Sequence, residues 1–174
     1  LAACALVIIG GCLKKSKEDE SFAALRPLEN KIRVACIGDS ITYGAGVKDR
    51  QRDAYPALLQ EMLGERYQVL NYGLPGKTLQ REGSDPFTKN PHYQMSLDAR
   101  PAVVVIMLGT NDAMPKNWNP FGYEKQLKEM VDAYLALPSS PQVFIAIPPA
   151  AYCEEGKETA LYRIPPERIS GEIA

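Results

Sequence analysis

The sequence predicts an α/β fold in which a parallel sheet lies between two layers of helices. Three observations predict it. From residue 32 onward, runs with strand character alternate with runs at helical spacing, and that alternation builds right-handed crossovers and parallel strands. The clearest strand, AVVVIMLG (102–109), is apolar at nearly every position, as expected of a strand covered on both faces. The segments Gly38–Ser40, Gly73 and Gly109–Asp112 each follow the end of a strand run. All three therefore converge on the carboxyl edge of the sheet, where such folds bind ligands.

Taken in order, IRVACIG (32–38) is rich in β-branched residues and ends in glycine, the pattern of a buried strand. AYPALLQEML (54–63) has helical spacing and stops at Gly64, a C-terminal cap. YQVLNYG (67–73) is a second short strand. LPGKTLQREGSDPFTKNPH (74–92) is the least regular stretch, and long irregular loops in compact domains are usually functional. After the strand at 102–109, YEKQLKEMVDAYLAL (123–137) places Leu127, Met130, Val131, Tyr134 and Leu135 at helical intervals. QVFIAIP (142–148) is a fourth strand, and PPERISGEIA (165–174) reads as the opening of another helix.

The 174 residues are 45% hydrophobic and 24% charged, with a formal net charge of −1. That is the composition of one globular domain with a sizeable core. A near-neutral chain without a basic stripe gives no electrostatic reason to expect nucleic acid. The beginning differs in kind. LAACALVIIGG is an unbroken apolar and small run, shorter than the roughly 20 residues a membrane span needs. It matches the apolar centre of a signal peptide. IGGC resembles a bacterial lipobox, with Cys12 as the lipidated residue and LKKSKEDES as the start of a charged tether. The competing reading is a frayed hydrophobic strand. The expected organisation is a signal remnant at 1–11, a lipidated tether at 12–30 and a catalytic domain at 31–174. The expected location is the bacterial cell envelope, with the membrane reached through the anchor. Of the other cysteines, Cys4 would leave with the signal. A disulfide between Cys36 and Cys153 is permitted but not required. No metal-ligand spacing occurs, and no cofactor is expected.

The segment GDSITYGAG (38–46) is glycine-rich after a strand, but it lacks the lysine and glycine spacing of phosphate loops. Acyl transfer fits better, because it needs a nucleophile and donors aimed at a developing oxyanion. Ser40 supplies a hydroxyl and an N–H near a helix start. Gly73 lets a backbone N–H approach closely, and Asn111 brings a carboxamide donor. Singly, each has a plainer explanation as a cap or turn residue.

Together, GDSIT, the glycine of NYGLPG, and LGTND resemble the first three blocks of the SGNH/GDSL hydrolases, in order and at comparable spacing. GTNDAMPKNW with PQVFIAIPPA is closer to the sialate or carbohydrate O-acetylesterase branch. The resemblance implies a three-layer α/β/α, flavodoxin-like fold and metal-free ester hydrolysis. It makes Ser40 the nucleophile and gives the oxyanion hole to the Ser40 and Gly73 N–H groups and the Asn111 side chain. Asp39 becomes a structural residue, and Asp112 a tie for the turn presenting Asn111. The expected reaction removes O-acetyl or other short acyl groups from carbohydrates. The alternatives are a lysophospholipase or thioesterase, and a non-catalytic glycan-binding lipoprotein of the same fold. The resemblance also implies a fifth strand followed by an Asp-x-x-His block that supplies the base. The sequence reaches Ala174 without either, so a partial chain lacking its C-terminal strand and helix is expected. The single histidine, His92, is preceded three residues earlier by Lys89 rather than aspartate. It is therefore expected to be a loop residue lining the substrate pocket, with a role as substitute base disfavoured.

Overall fold

The structure is a computed structural model that describes residues 31–149. The signal remnant, the tether with Cys12, the segment with Cys153 and the helix opening at 165–174 all lie outside the described residues. Four strands form the sheet: β1 (Ile32–Gly38), β2 (Tyr67–Gly73), β3 (Val103–Met107) and β4 (Gln142–Ile145). They pair in the order β2-β1-β3-β4, every pair parallel. This is the flavodoxin-like order that the resemblance implies. Its reversal point lies between β1 and β3, where ligands gather in doubly wound sheets.

The helices are α1 (Ser40–Tyr43), α2 (Arg50–Asp53), α3 (Tyr55–Leu63), α4 (Pro91–Asp98) and α5 (Pro120–Leu135), with a 3₁₀ turn at Phe87–Lys89. Alternation along the strands separates two faces. Ala35 and Ile37 of β1 with Val104 and Ile106 of β3 pack against Tyr123, Met130 and Tyr134 of α5, with Leu97 of α4 beside them. On the other face Tyr55 opens α3, and its hydroxyl lies 3.4 Å from the Thr42 hydroxyl. It also reaches the Cys36 thiol, which is free, fully buried and pushed up to about 11 by that burial. The Gln60 side chain of α3 accepts the Val69 N–H at 2.8 Å, tying this helix to β2. Helices thus cover both faces.

Observed elements depart from the sequence reading where local patterns are weak. The long helix begins at Pro120, not 123, because Asn119 caps it through the Gly122 N–H and proline suits the first turn. Strand β4 stops at Ile145, short of the expected 148. Helix α4 occupies the end of the stretch read as loop, with Asn90 as its cap and Pro91 as its first residue. Only Tyr93 and Leu97 of this helix stand at helical spacing against the core, too few to reveal it by apolar periodicity. The rest of that stretch is closed on itself: Thr78 bridges to Pro86, and the Phe87 N–H donates to the Thr78 carbonyl at 2.8 Å. Leu79 and Phe87 carry it into the core.

Replacing Ile106, 1% exposed, by alanine should lower the unfolding free energy by about 2–5 kcal/mol in urea denaturation. Met62→Ala, at a side chain 83% exposed, should change it by less than about 0.5 kcal/mol.

Candidate active site

The turn after β1 is organised by Asp39. Its Oδ1 accepts the Ile41 N–H at 2.9 Å and caps α1, while its carbonyl accepts the Tyr43 N–H at 2.9 Å. Ser40 is therefore the first residue of α1, not its cap. At that position a backbone N–H has no partner within the helix and points out of its end. Ser40 itself is only partly buried. The Asp39 side chain, by contrast, is fully enclosed. That burial pushes its carboxyl up to about 6 against the Ile41 amide, which favours the charged form. The nearby Asp112 carboxylate pushes in the same direction as burial.

Asn111 follows β3 and reaches across to this turn. Its Nδ2 donates to the Lys77 carbonyl at 3.0 Å and lies 3.4 Å from Asp39 Oδ2. The second contact is long and weak, so one N–H of the carboxamide is held firmly and the other only loosely. Asp112 binds a partner segment that local sequence does not reveal. Its two oxygens accept consecutive backbone N–H groups, Leu79 at 2.9 Å and Gln80 at 2.8 Å. Burial raises its carboxyl, opposed by the Gln80 and Leu79 amides.

Gly73 pairs in register with Gly38 across β1 and β2, and the Leu74 N–H donates to the Gly38 carbonyl at 3.0 Å. A Cβ on Gly73 would collide with the backbone of Thr42 and Tyr43, and one on Gly38 with the Thr42 side chain and the Met107 carbonyl. Both strand ends must be glycine for α1 to settle on them. The Gly73 N–H donates to Asn71 Oδ1 at 2.9 Å, and Asn71 Nδ2 donates to the Thr42 carbonyl at 2.9 Å. One carboxamide thus links the end of β2 to α1. Asn71 was not singled out from the sequence, although its place two residues before the glycine is the spacing of a local Asx hydrogen bond.

Asn117 and Gln80 were also missed. Asn117 Nδ2 donates to the Asn111 carbonyl at 2.7 Å, and its Oδ1 accepts the Ser84 N–H at 3.0 Å. Gln80 Nε2 donates to the Asn117 carbonyl at 3.0 Å. These partners are separated by more than thirty residues, apart from the Asn111–Asn117 pair, so no local signal reveals them.

His92 is not a loop residue: it lies in the first turn of α4, its N–H bound to the Asn90 side chain at 3.0 Å. A helix in place of the loop corrects that expectation. The histidine does line a cavity of about 370 Å³ together with Gly73, Asn71 and Tyr43. Its ring meets Tyr72 edge-on, and its Nδ1 is buried without a partner. No hydrogen bond among the described residues joins it to Ser40. Among the described residues no group of three potential metal ligands occurs, and no helix is long and apolar enough to cross a membrane.

Ser40, Gly73 and Asn111 are thus brought to one edge, around α1. Asn111 approaches from the β3 side next to Asp39, and Gly73 packs from the β2 side against Thr42 and Tyr43.

Residues 36–165 match the GDSL-like lipase/acylhydrolase family. An acetylxylan esterase from Xylanibacter ruminicola is 44% identical over 109 residues, 62% of this chain and 22% of the relative. The chain thus spans less than a quarter of that relative's length. A solved carbohydrate acetylesterase family member from Sinorhizobium meliloti is 25% identical with a TM-score of 0.62, covering 78% of this chain and 72% of that one. Est24, a carbohydrate acetylesterase from the same organism, is 21% identical with a TM-score of 0.65, over 82% of this chain and 78% of its own.

Burial gives a pH dependence with a definite sign. An aspartate in the unfolded chain titrates near 3.9, and Asp39 in the fold near 6. Between these values the native state holds a proton that the unfolded state has released. Stability is then largest below about pH 4 and falls as pH rises toward 6, by on the order of 2–3 kcal/mol from this residue. Asp112 acts in the same direction. Asp39→Asn should keep the cap and flatten the profile from pH 4 to 6 in urea denaturation.

Proposed function

The chain belongs to the GDSL-like lipase/acylhydrolase family, and from that premise we propose that it is a serine esterase removing short acyl groups, acetyl above all, from carbohydrates. The observation that carries this reading is the convergence around α1. The Asn111 amide nitrogen lies 3.4 Å from the carboxylate of the residue preceding Ser40, with Gly73 seated against the next turn.

In this reading the Ser40 hydroxyl attacks the ester carbonyl carbon, and the negative charge moves to the carbonyl oxygen. The Ser40 N–H, the Gly73 N–H and the Asn111 carboxamide receive that oxygen. Collapse expels the sugar alcohol and leaves an acyl-serine, which water cleaves to the free acid. The Gly73 amide would exchange its Asn71 acceptor for the oxyanion, and Asn111 would use its loosely held N–H. Proton transfer requires a base. The sequence holds one histidine and no Asp-x-x-His block, and no hydrogen bond among the described residues activates the Ser40 hydroxyl. A chain confined to these residues would therefore turn over slowly, because the Ser40 hydroxyl attacks without a side-chain base to take its proton.

Two features favour a sugar ester over a lipid ester. The chain is similar to a curated acetylxylan esterase. The cavity beside Gly73 sets Arg50, Gln51 and His92 beside Pro56, Ala57 and Val69, a mixed lining with polar partners that a long acyl chain does not need. The reading also takes Cys12 as a lipid-anchored N-terminus at a bacterial envelope. Its support is the apolar run ending in IGGC, followed by LKKSKEDE.

Hydrolysis of p-nitrophenyl acetate and acetylated xylo-oligosaccharides tests the reaction. Ser40→Ala should abolish it, and Asn111→Ala should lower kcat by about 10²–10³-fold. His92→Ala should act mainly on KM. Turnover surviving in Ser40→Ala would overturn the esterase reading, and a collapse of kcat in His92→Ala would make that histidine the base. For the anchor, a palmitate label incorporated in bacterial cells should be lost in Cys12→Ser. Unchanged labelling would remove the lipoprotein reading.

A further inference from the structure

The cavity beside Gly73 has a charge pattern that ester cleavage alone does not require. Its described lining contains Arg50 and His92 but no carboxylate. The Arg50 guanidinium carbon lies 3.9 Å from the centroid of the Tyr43 ring, a cation–π seat that holds the charge in place. Tyr43 stands three residues after Ser40 in α1, and residues at that spacing share one side of a helix.

The nearby acids do not neutralise Arg50. Asp49 turns its Oδ1 to the Gln51 N–H at 3.1 Å, and Asp53 is engaged by Arg52 at 2.7 Å and by the Asp49 N–H at 3.2 Å. Among the described residues no carboxylate forms an ion pair with Arg50. Arg52, two positions along, is paired. The cavity therefore combines an exposed cation, seated on Tyr43 and without an ion-pair partner among the described residues, with the His92 Nδ1, likewise unpartnered among them, and the Gln51 side chain. A neutral sugar offers the cation hydroxyl acceptors but no charge, whereas a sugar carboxylate neutralises it and can be bound through two parallel N–H groups.

We propose that this cavity seats the sugar of the substrate and that Arg50 selects glycans carrying a carboxylate, whether a uronate branch or a sialate. The proposal rests on the esterase reading for its biological use, but binding can be measured without turnover.

Purified Ser40→Ala protein, which cannot cleave, is titrated at low salt by calorimetry with three probes. These are a xylo-oligosaccharide bearing one glucuronic acid branch, the same oligosaccharide without it, and N-acetylneuraminic acid. At least one acidic probe should bind roughly tenfold or more tightly than the neutral one, and which one does so identifies the source of the carboxylate. Adding Arg50→Gln should bring acidic and neutral probes to parity, whereas adding Arg52→Gln should leave the preference intact. Thermal unfolding of each variant verifies that it is folded. Equal binding of all three probes, or a preference that survives Arg50→Gln, would overturn the proposal. Failure of the esterase reading shows instead as turnover that does not depend on Ser40.

Discussion

Two oxygen atoms of Asp112 hold the site together. By accepting the consecutive amides of Leu79 and Gln80, this buried carboxylate binds the segment after β2 to the turn after β3. The rest follows. With Leu79 fixed, the Lys77 carbonyl is placed where Asn111 donates to it, and Gln80 is placed to reach the Asn117 carbonyl, while Asn117 in turn holds Asn111. A carboxylate taken fully out of water is costly, and two charge-assisted hydrogen bonds offset part of that cost. Removing either amide would leave the charge under-satisfied, so the clamp is all-or-none in character.

Asp39 imposes a related constraint from the other strand. It caps α1, sits beside Asn111, and titrates near 6 because it is enclosed and faces a second buried carboxylate. The two acids carry different loads. Asp112 is compensated by backbone amides, whereas Asp39 shares its second oxygen with one long side-chain contact. The site thus accepts an electrostatic cost next to Ser40 in return for a fixed geometry at the strand edge. Strained or costly polar groups concentrate at such places.

The sheet was legible because β1 and β3 are buried on both faces and so read as nearly unbroken apolar runs. Ser40 and Asn111 were singled out because each follows such a run, Gly73 because it ends the more mixed strand β2, and the family resemblance joined them. Helix α4 was not, since it sends only the half-buried Tyr93 and Leu97 to the core and its one fully buried side chain is Ser96, 2.7 Å from the Tyr134 hydroxyl. Its surviving local signal was the Asn90–Pro91 start. Asn117, Gln80 and Gln126 were invisible for another reason. Their partners, such as the Arg81 N–H that Gln126 accepts at 2.7 Å, are defined only by how the chain folds back. The polar composition of the irregular stretch at 74–92 hid how tightly it is tied down.

Cys36 lies in the middle of β1, fully buried, with burial holding its sulfur in the thiol form. Alkylating reagents attack the thiolate and need access, so in the folded protein this residue should be chemically silent. It becomes reactive only when the central strand separates from its neighbours. The rate at which a thiol dye marks this position thus serves as an internal clock for opening of the whole sheet, with no cysteine introduced for the purpose.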